Sequence, residues 1–244
     1  MLPEWLKYVD EKRRKNLLRI LEELSELQNK DNLNFIIIGA LSLLIRGYLN
    51  YRVYWDVDIL FKNNNGLQQF INTPKSKDLK IADYDDALTG NKNILSFHTA
   101  WGFDRNWFNV DYILREGFFE FYTQDIDTLR PYEESIKIDN RSYQVNLYIA
   151  HPWDIITEKI SSPRTERDIE LKVDTSVDIR HIFVIYDREK DNTQFWHYIF
   201  EKAKLLKSEK EFKAKLLNIL SSAEELGYCD LEISPDTIKI LRNL

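Results

Sequence analysis

The apolar residues Phe35-Ile36-Ile37-Ile38 run straight into Gly39, and this junction constrains the fold more than any other part of the sequence. An unbroken run of aromatic and β-branched residues marks a strand covered on both faces; a strand with one wet face would alternate. After Gly39 the pattern turns helical from Ala40 to Tyr48, with Gly47 as its stop. A buried strand leading through glycine into a helix belongs to a layered strand–helix architecture.

The same texture continues downstream. Val57-Asp58-Ile59-Leu60-Phe61 reads as a second strand, closed by the Asn63-Asn64-Asn65-Gly66 turn, and Leu67 to Ile71 starts a short helix. Ile94 to Trp101 and Trp107 to Leu114 are further strands. Ser135–Ile138 and Tyr143–Ile149 form a hairpin about Asp139-Asn140-Arg141. Upstream, Pro3 to Gln28 carries apolar residues at helical spacing. From His151-Pro152 onward the pattern is helical, interrupted near Ser162-Pro163, Asp191-Asn192, Ser208 and Gly227-Tyr228. The expected fold class is α+β: a mixed sheet with flanking helices over residues 1–150, then a helical part over 151–244.

Composition excludes several classes. With 244 residues, 43% hydrophobic and 30% charged, the chain has the profile of a globular protein with an ample core. No apolar run reaches the roughly 18 residues of a membrane span, and the N-terminus lacks a signal-peptide pattern. The single cysteine, Cys229, rules out an internal disulfide framework and a Cys-rich zinc site, so a reducing cytoplasm is the simplest location. A net charge of -6 argues against a general nucleic-acid coat protein.

The chemistry concentrates in the acids after the glycine turn. On a strand, residues two apart share a face, so Asp56 and Asp58 project together while Val57 and Ile59 face a core. Neighbouring carboxylates raise one another's proton affinity, and a divalent cation relieves that repulsion; oxygen-only ligands suit Mg²⁺ or Mn²⁺. Asp111 sits in the apolar run Asn109-Val110-Asp111-Tyr112-Ile113, where it is a metal ligand or the partner of a structural arginine. If the strands of Asp58 and Asp111 are neighbours, three carboxylates converge, enough for two Mg²⁺ ions about 4 Å apart. At the turn, Gly39 lets backbone N–H groups approach phosphates, and the Ser42 hydroxyl offers another donor.

An Asp-x-Asp pair is common, and Asp125-Ile126-Asp127 serves as an internal control. It lacks a preceding glycine turn and reads as a loop or capping pair. The Tyr84-Asp85-Asp86 acids read as a solvated loop. The four histidines show no metal spacing, and the Lys-rich stretch from Lys202 to Lys215 is interleaved with glutamates, as a solvated helix face is.

Gly39-Ala40-Leu41-Ser42, Arg52, Asp56-Val57-Asp58 and Asp111 together resemble the nucleotidyltransferase superfamily of the polymerase-beta-like fold. The stretch from His151 to Ile160, followed by Arg167, Lys172, Asp174 and Asp178, resembles the helical region of AbiEii-type abortive-infection nucleotidyltransferase toxins. The likeness spans roughly residues 33 to 187. It implies Asp56, Asp58 and Asp111 as catalytic metal ligands, and Gly39, Ala40, Ser42, Arg52, Lys159 and Asp178 as nucleotide contacts, with Asp174 as a substitute for Asp178. Read on their own, Arg52 equally forms an ion pair, Lys159 a solvated helix residue, and Asp178 a partner of Arg180 or Lys172. The sequence departs from the family pattern at Ala40, where a second Gly or Ser is usual, at Tyr54, where a Thr is common, and in a longer Gly39–Asp56 stretch.

The resemblance implies an enzyme that uses Mg²⁺ or Mn²⁺ to move an NMP from an NTP to an acceptor hydroxyl. The acceptor would be an RNA end such as tRNA, or a protein, in a toxin–antitoxin or abortive-infection setting with a cognate antitoxin; a small molecule such as an aminoglycoside is also open. One alternative is a degenerate relative that binds nucleotide or a partner without catalysis; another is a helical interaction scaffold that works through its terminal helices.

Overall fold

In the computed structural model, β1 (Phe35–Ile38) leads directly into α2 (Gly39–Ile45), and β2 (Val57–Phe61) returns beside β1. Described are residues 2–52, 56–83, 94–124 and 131–228, together with Thr237 and Leu241. The chain divides into two compact units, Met1–His151 and Pro152–Leu244.

In the first unit, α1 (Glu11–Leu27) precedes β1. After β2 come α3 (Asn64–Asn72), β3 (Lys80–Asp83), β4 (Ile94–Gly102), β5 (Trp107–Arg115), α4 (Phe118–Thr123), β6 (Pro131–Ile138) and β7 (Arg141–Tyr148). The main sheet has the order β1-β2-β5-β4-β3. Its central pair, β2 and β5, is parallel, and the other pairs are antiparallel. This is a mixed sheet in an α+β fold. One face packs Phe35, Phe61 and Tyr112 against Phe70 of α3, with Phe61 and Phe70 centroids 5.1 Å apart and Phe70 stacked 6.0 Å from Trp101. Burying such rings supplies the largest apolar area per residue, and Trp101 keeps its Nε1–H satisfied on the Tyr112 hydroxyl at 2.9 Å.

The β6–β7 hairpin joins this sheet through the Ile37–Ile149 bridge, where Ala150 N–H donates to Ile37 O at 2.7 Å. An open strand edge exposes unpaired amides. Along β7, α1 covers that edge with side chains one turn apart. Glu22 accepts from Gln144 N–H, Ser25 from Asn146 N–H and Gln28 from Tyr148 N–H, each within 3.0 Å.

Several boundaries differ from the sequence expectation. The single helix expected from Pro3 to Gln28 is broken: a 3-10 helix covers Glu4–Tyr8, and Asp10, in a non-helical conformation, caps α1 by accepting from Lys12 N–H. The Asn63–Gly66 turn is instead the start of α3, because the Asn63 side chain accepts from Gly66 N–H at 2.9 Å. β3 and α4 were not expected. Four residues in one case and six in the other are too few to establish a period.

In the second unit, α5 (Pro152–Ser161) is followed by α6 (Pro163–Glu170), α7 (Val177–Glu189), α8 (Thr193–Ala203) and α9 (Glu209–Ser221). Each break carries its own cap: Ser162 before Pro163, Ser176, Asn192, and a reciprocal Ser208–Glu211 capping box. Ile155, Ile156 and Ile160 of α5 are buried in this bundle, as is Asp154, which accepts from the Tyr198 hydroxyl at 2.6 Å and lies 3.1 Å from Lys202 Nζ. No helix among the described residues is long and apolar enough to cross a membrane.

Candidate active site

The register of the central strands gathers the acids. Asp58 of β2 pairs with Asp111 of the parallel strand β5, and Asp111 pairs in turn with His98 of β4. Directly paired residues project to the same face. Asp58, Asp111 and His98 therefore form one row across adjacent strands, which in sheets lie about 4.8 Å apart. Asn109, two residues before Asp111, shares this face, and its side chain hydrogen-bonds Asp56 just ahead of β2. The opposite face is the aromatic core, so the acids occupy the side that the core does not need.

Gly39 closes the row at β1. Its φ is 74°, in the left-handed region that favours glycine, and a Cβ there would lie 2.0 Å from Asp58 Oδ2. Conformation and space both demand glycine. The strand-to-helix backbone thus lies directly against the carboxylate, with half-buried Ala40 next in the chain. Ser42 departs from expectation: it is fully buried and gives its proton to Ile37 O at 3.0 Å. This hydrogen bond ties the start of α2 to the strand it follows. Arg52 is exposed. Tyr54, the Asp125–Asp127 control pair, the Tyr84–Asp86 acids and Cys229 lie outside the described residues.

The electrostatics follow from this crowding. Asp56 is exposed as a residue, yet partial loss of water around its carboxyl and the negative charge of Asp111 hold it above the usual carboxylate range. The Asn109 hydrogen bond and the charges of Arg13 and His98 offset part of that rise. His98 Nδ1 stands 2.9 Å from Asp111 Oδ1, within ion-pair reach but without the alignment of a hydrogen bond, so this buried oxygen has none. Sequence reasoning missed His98, Asn109 and Arg13. Alternation within the strands signals which face His98 and Asn109 occupy, but only the register shows what they stand beside.

Among the described residues, no three His, Cys, Asp or Glu side chains gather into a group able to hold a metal. The three-carboxylate cluster expected from the spacing is therefore not closed. Asp58 and Asp111 are aligned by the ladder, whereas Asp56 precedes the strand and is not held by it. An aligned pair of hard oxygen donors on adjacent strands fits Mg²⁺ or Mn²⁺. Mg²⁺ takes one or two carboxylates and completes its shell with water and substrate phosphates.

In the second unit, Lys159 of α5 donates to Asp178 of α7, and Arg164 lies 3.5 Å from the other carboxylate oxygen. Burial alone would raise Asp178; Lys159 and Arg164 instead hold it below the usual carboxylate range. Lys172, a partner considered for Asp178, reaches Glu225 at 2.9 Å, and Asp174 is exposed.

No protein-family model matches the sequence, and no curated protein matches it. Among solved structures, the chain is similar to an antigenic nucleotidyltransferase-like protein from Paracoccidioides brasiliensis, with 16% identity, 93% of each chain covered and a TM-score of 0.44. It is also similar to a Helicobacter pylori protein described as a nucleotidyltransferase, with 13% identity over 92% of this chain and 100% of that one and a TM-score of 0.37.

Proposed function

We propose that the sheet unit carries a metal-dependent nucleotidyltransferase site that moves an NMP from an NTP to an acceptor hydroxyl. The observation that carries this reading is the alignment of Asp58 with Asp111 on adjacent parallel strands, with the Gly39 backbone pressed against Asp58. Asp58 and Asp111, joined by Asp56, would hold Mg²⁺ or Mn²⁺. When bound, the ion supplies Lewis-acid charge to the phosphate oxygens. The bare backbone at Gly39 and the small side chain of Ala40 admit the triphosphate, and exposed Arg52 offers it a cation. Asp111 takes the proton of the acceptor hydroxyl. The acceptor oxygen then bonds to the α-phosphorus, the bond from that phosphorus to the β-bridging oxygen breaks, and pyrophosphate leaves.

The family resemblance directs the acceptor towards an RNA end such as tRNA, or a protein hydroxyl, in a toxin role opposed by an antitoxin. Incubation of the chain with each α-labelled NTP, Mg²⁺ and either total RNA or cell lysate tests this. Label in RNA or protein is expected. A second reading, nucleotide binding without transfer, is favoured by the unclosed carboxylate group and by the His98–Asp111 contact. It predicts thermal stabilisation by NTP with no label transferred. Stabilisation without label would overturn transfer in favour of binding, and absence of both would overturn the two readings together.

A further inference from the structure

We propose that His98 is a positioning residue for Asp111: from the neighbouring strand it holds one carboxylate oxygen and so aims the other at a divalent cation. This rests on the reading of the aligned acids as a cation site. The observations behind it are independent of that reading. His98 and Asp111 are direct partners in the antiparallel β4–β5 ladder, and Nδ1 lies 2.9 Å from Oδ1. Both side chains are largely withdrawn from water, at 22% and 17% exposure.

The backbone beside them is pinned: one residue along, Thr99 Oγ1 donates to Val110 O at 2.6 Å. An aspartate carboxylate turns easily about its last torsion, so a fixed neighbour at one oxygen decides which oxygen faces the site. Oδ1 is buried and lacks an aligned hydrogen bond, and at 2.9 Å a small rotation of either side chain completes one. Metal-ligating carboxylates are themselves held by such partners, and loss of the partner weakens metal binding without removing a ligand.

The test is Mn²⁺ binding to the full chain without nucleotide, read from the electron paramagnetic resonance signal of the free ion. Far-UV circular dichroism and thermal melts are recorded for every variant. Asp111→Asn is expected to abolish binding at the site. His98→Ala should weaken it about 10- to 100-fold, and His98→Asn, whose amide nitrogen can replace Nδ1, should recover most of the affinity. If His98→Ala fails to fold, His98→Gln replaces it, since its amide is displaced from the Nδ1 position and should bind weakly. Wild-type or tighter binding by His98→Ala or His98→Gln, with binding lost in Asp111→Asn, would refute the positioning role and leave the cation site standing. Equal weakness of His98→Asn and the other His98 variants would refute it too, because the histidine would then only fill space. Undiminished binding by Asp111→Asn would overturn the cation site and this inference with it.

Discussion

A side-chain carbon on Gly39 would lie 2.0 Å from Oδ2 of Asp58, so the strand–helix junction and the first aligned carboxylate share one contact that admits no substituent. Gly47 provides the control, because its φ is 75° and a Cβ there would meet nothing within 4 Å. Both Gly→Ala changes should cost about 1–2 kcal/mol of left-handed strain, lowering Tm by a few degrees. Only Gly39→Ala must also displace the Asp58 carboxylate. Mn²⁺ binding should therefore fall in Gly39→Ala and persist in Gly47→Ala, and equal binding in the two variants would contradict the contact.

Lys159 and Asp178 form a largely buried ion pair, their side chains 12% and 14% exposed. Removing one partner of such a pair commonly costs about 3–5 kcal/mol, because the other charge is left without it. Arg164 remains near Asp178 and reduces that cost in Lys159→Met. The double change Lys159→Met with Asp178→Leu should be more stable than either single change. Chemical denaturation of the three variants measures the difference, and purely additive losses would argue against the pairing.

His181 is buried beside this pair, and its Nδ1 has no hydrogen-bond partner. Burial, with the charge of Lys159 adding to it, pushes the imidazole from 6.5 down to about 3. Above pH 6.5 the ring is neutral in both folded and unfolded chains. Below that, the unfolded chain takes a proton that the folded chain refuses, so stability falls as pH drops from 6.5 towards 3, by about 1.4 kcal/mol per pH unit. Asp178 acts lower: its contribution is present above the ordinary carboxylate range and is lost only as pH falls through its depressed folded value. Between pH 6 and 4.5, His181→Leu should therefore flatten the stability curve by the slope of one proton. An unchanged slope in urea titrations would show that His181 is not the group responsible.

How legible the site was depended on distance along the chain. The Phe35–Ile38 strand, Gly39 and the Val57–Phe61 strand could be read directly, because buried strands and glycine junctions are local patterns. That Asp58 and Asp111 pair is a matter of register between strands far apart in sequence, and no local pattern reports it. The same limit hid His98, which enters the row only through β4–β5 pairing. The sequence offered a free hydroxyl at Ser42, and packing turns it onto the Ile37 carbonyl, a contact that no local pattern reports. α4, a cluster of aromatics in one and a half turns, offered no period to find.

Nucleotidyl transfer should depend on the aligned carboxylates Asp58 and Asp111. Its most direct test compares wild type with Asp58→Asn, a change that keeps the side chain's shape against Gly39, for transfer of label from α-labelled NTP in the presence of Mg²⁺. Wild type should transfer the label and release pyrophosphate, and the variant, melting like wild type, should do neither. Undiminished transfer by Asp58→Asn would contradict this dependence.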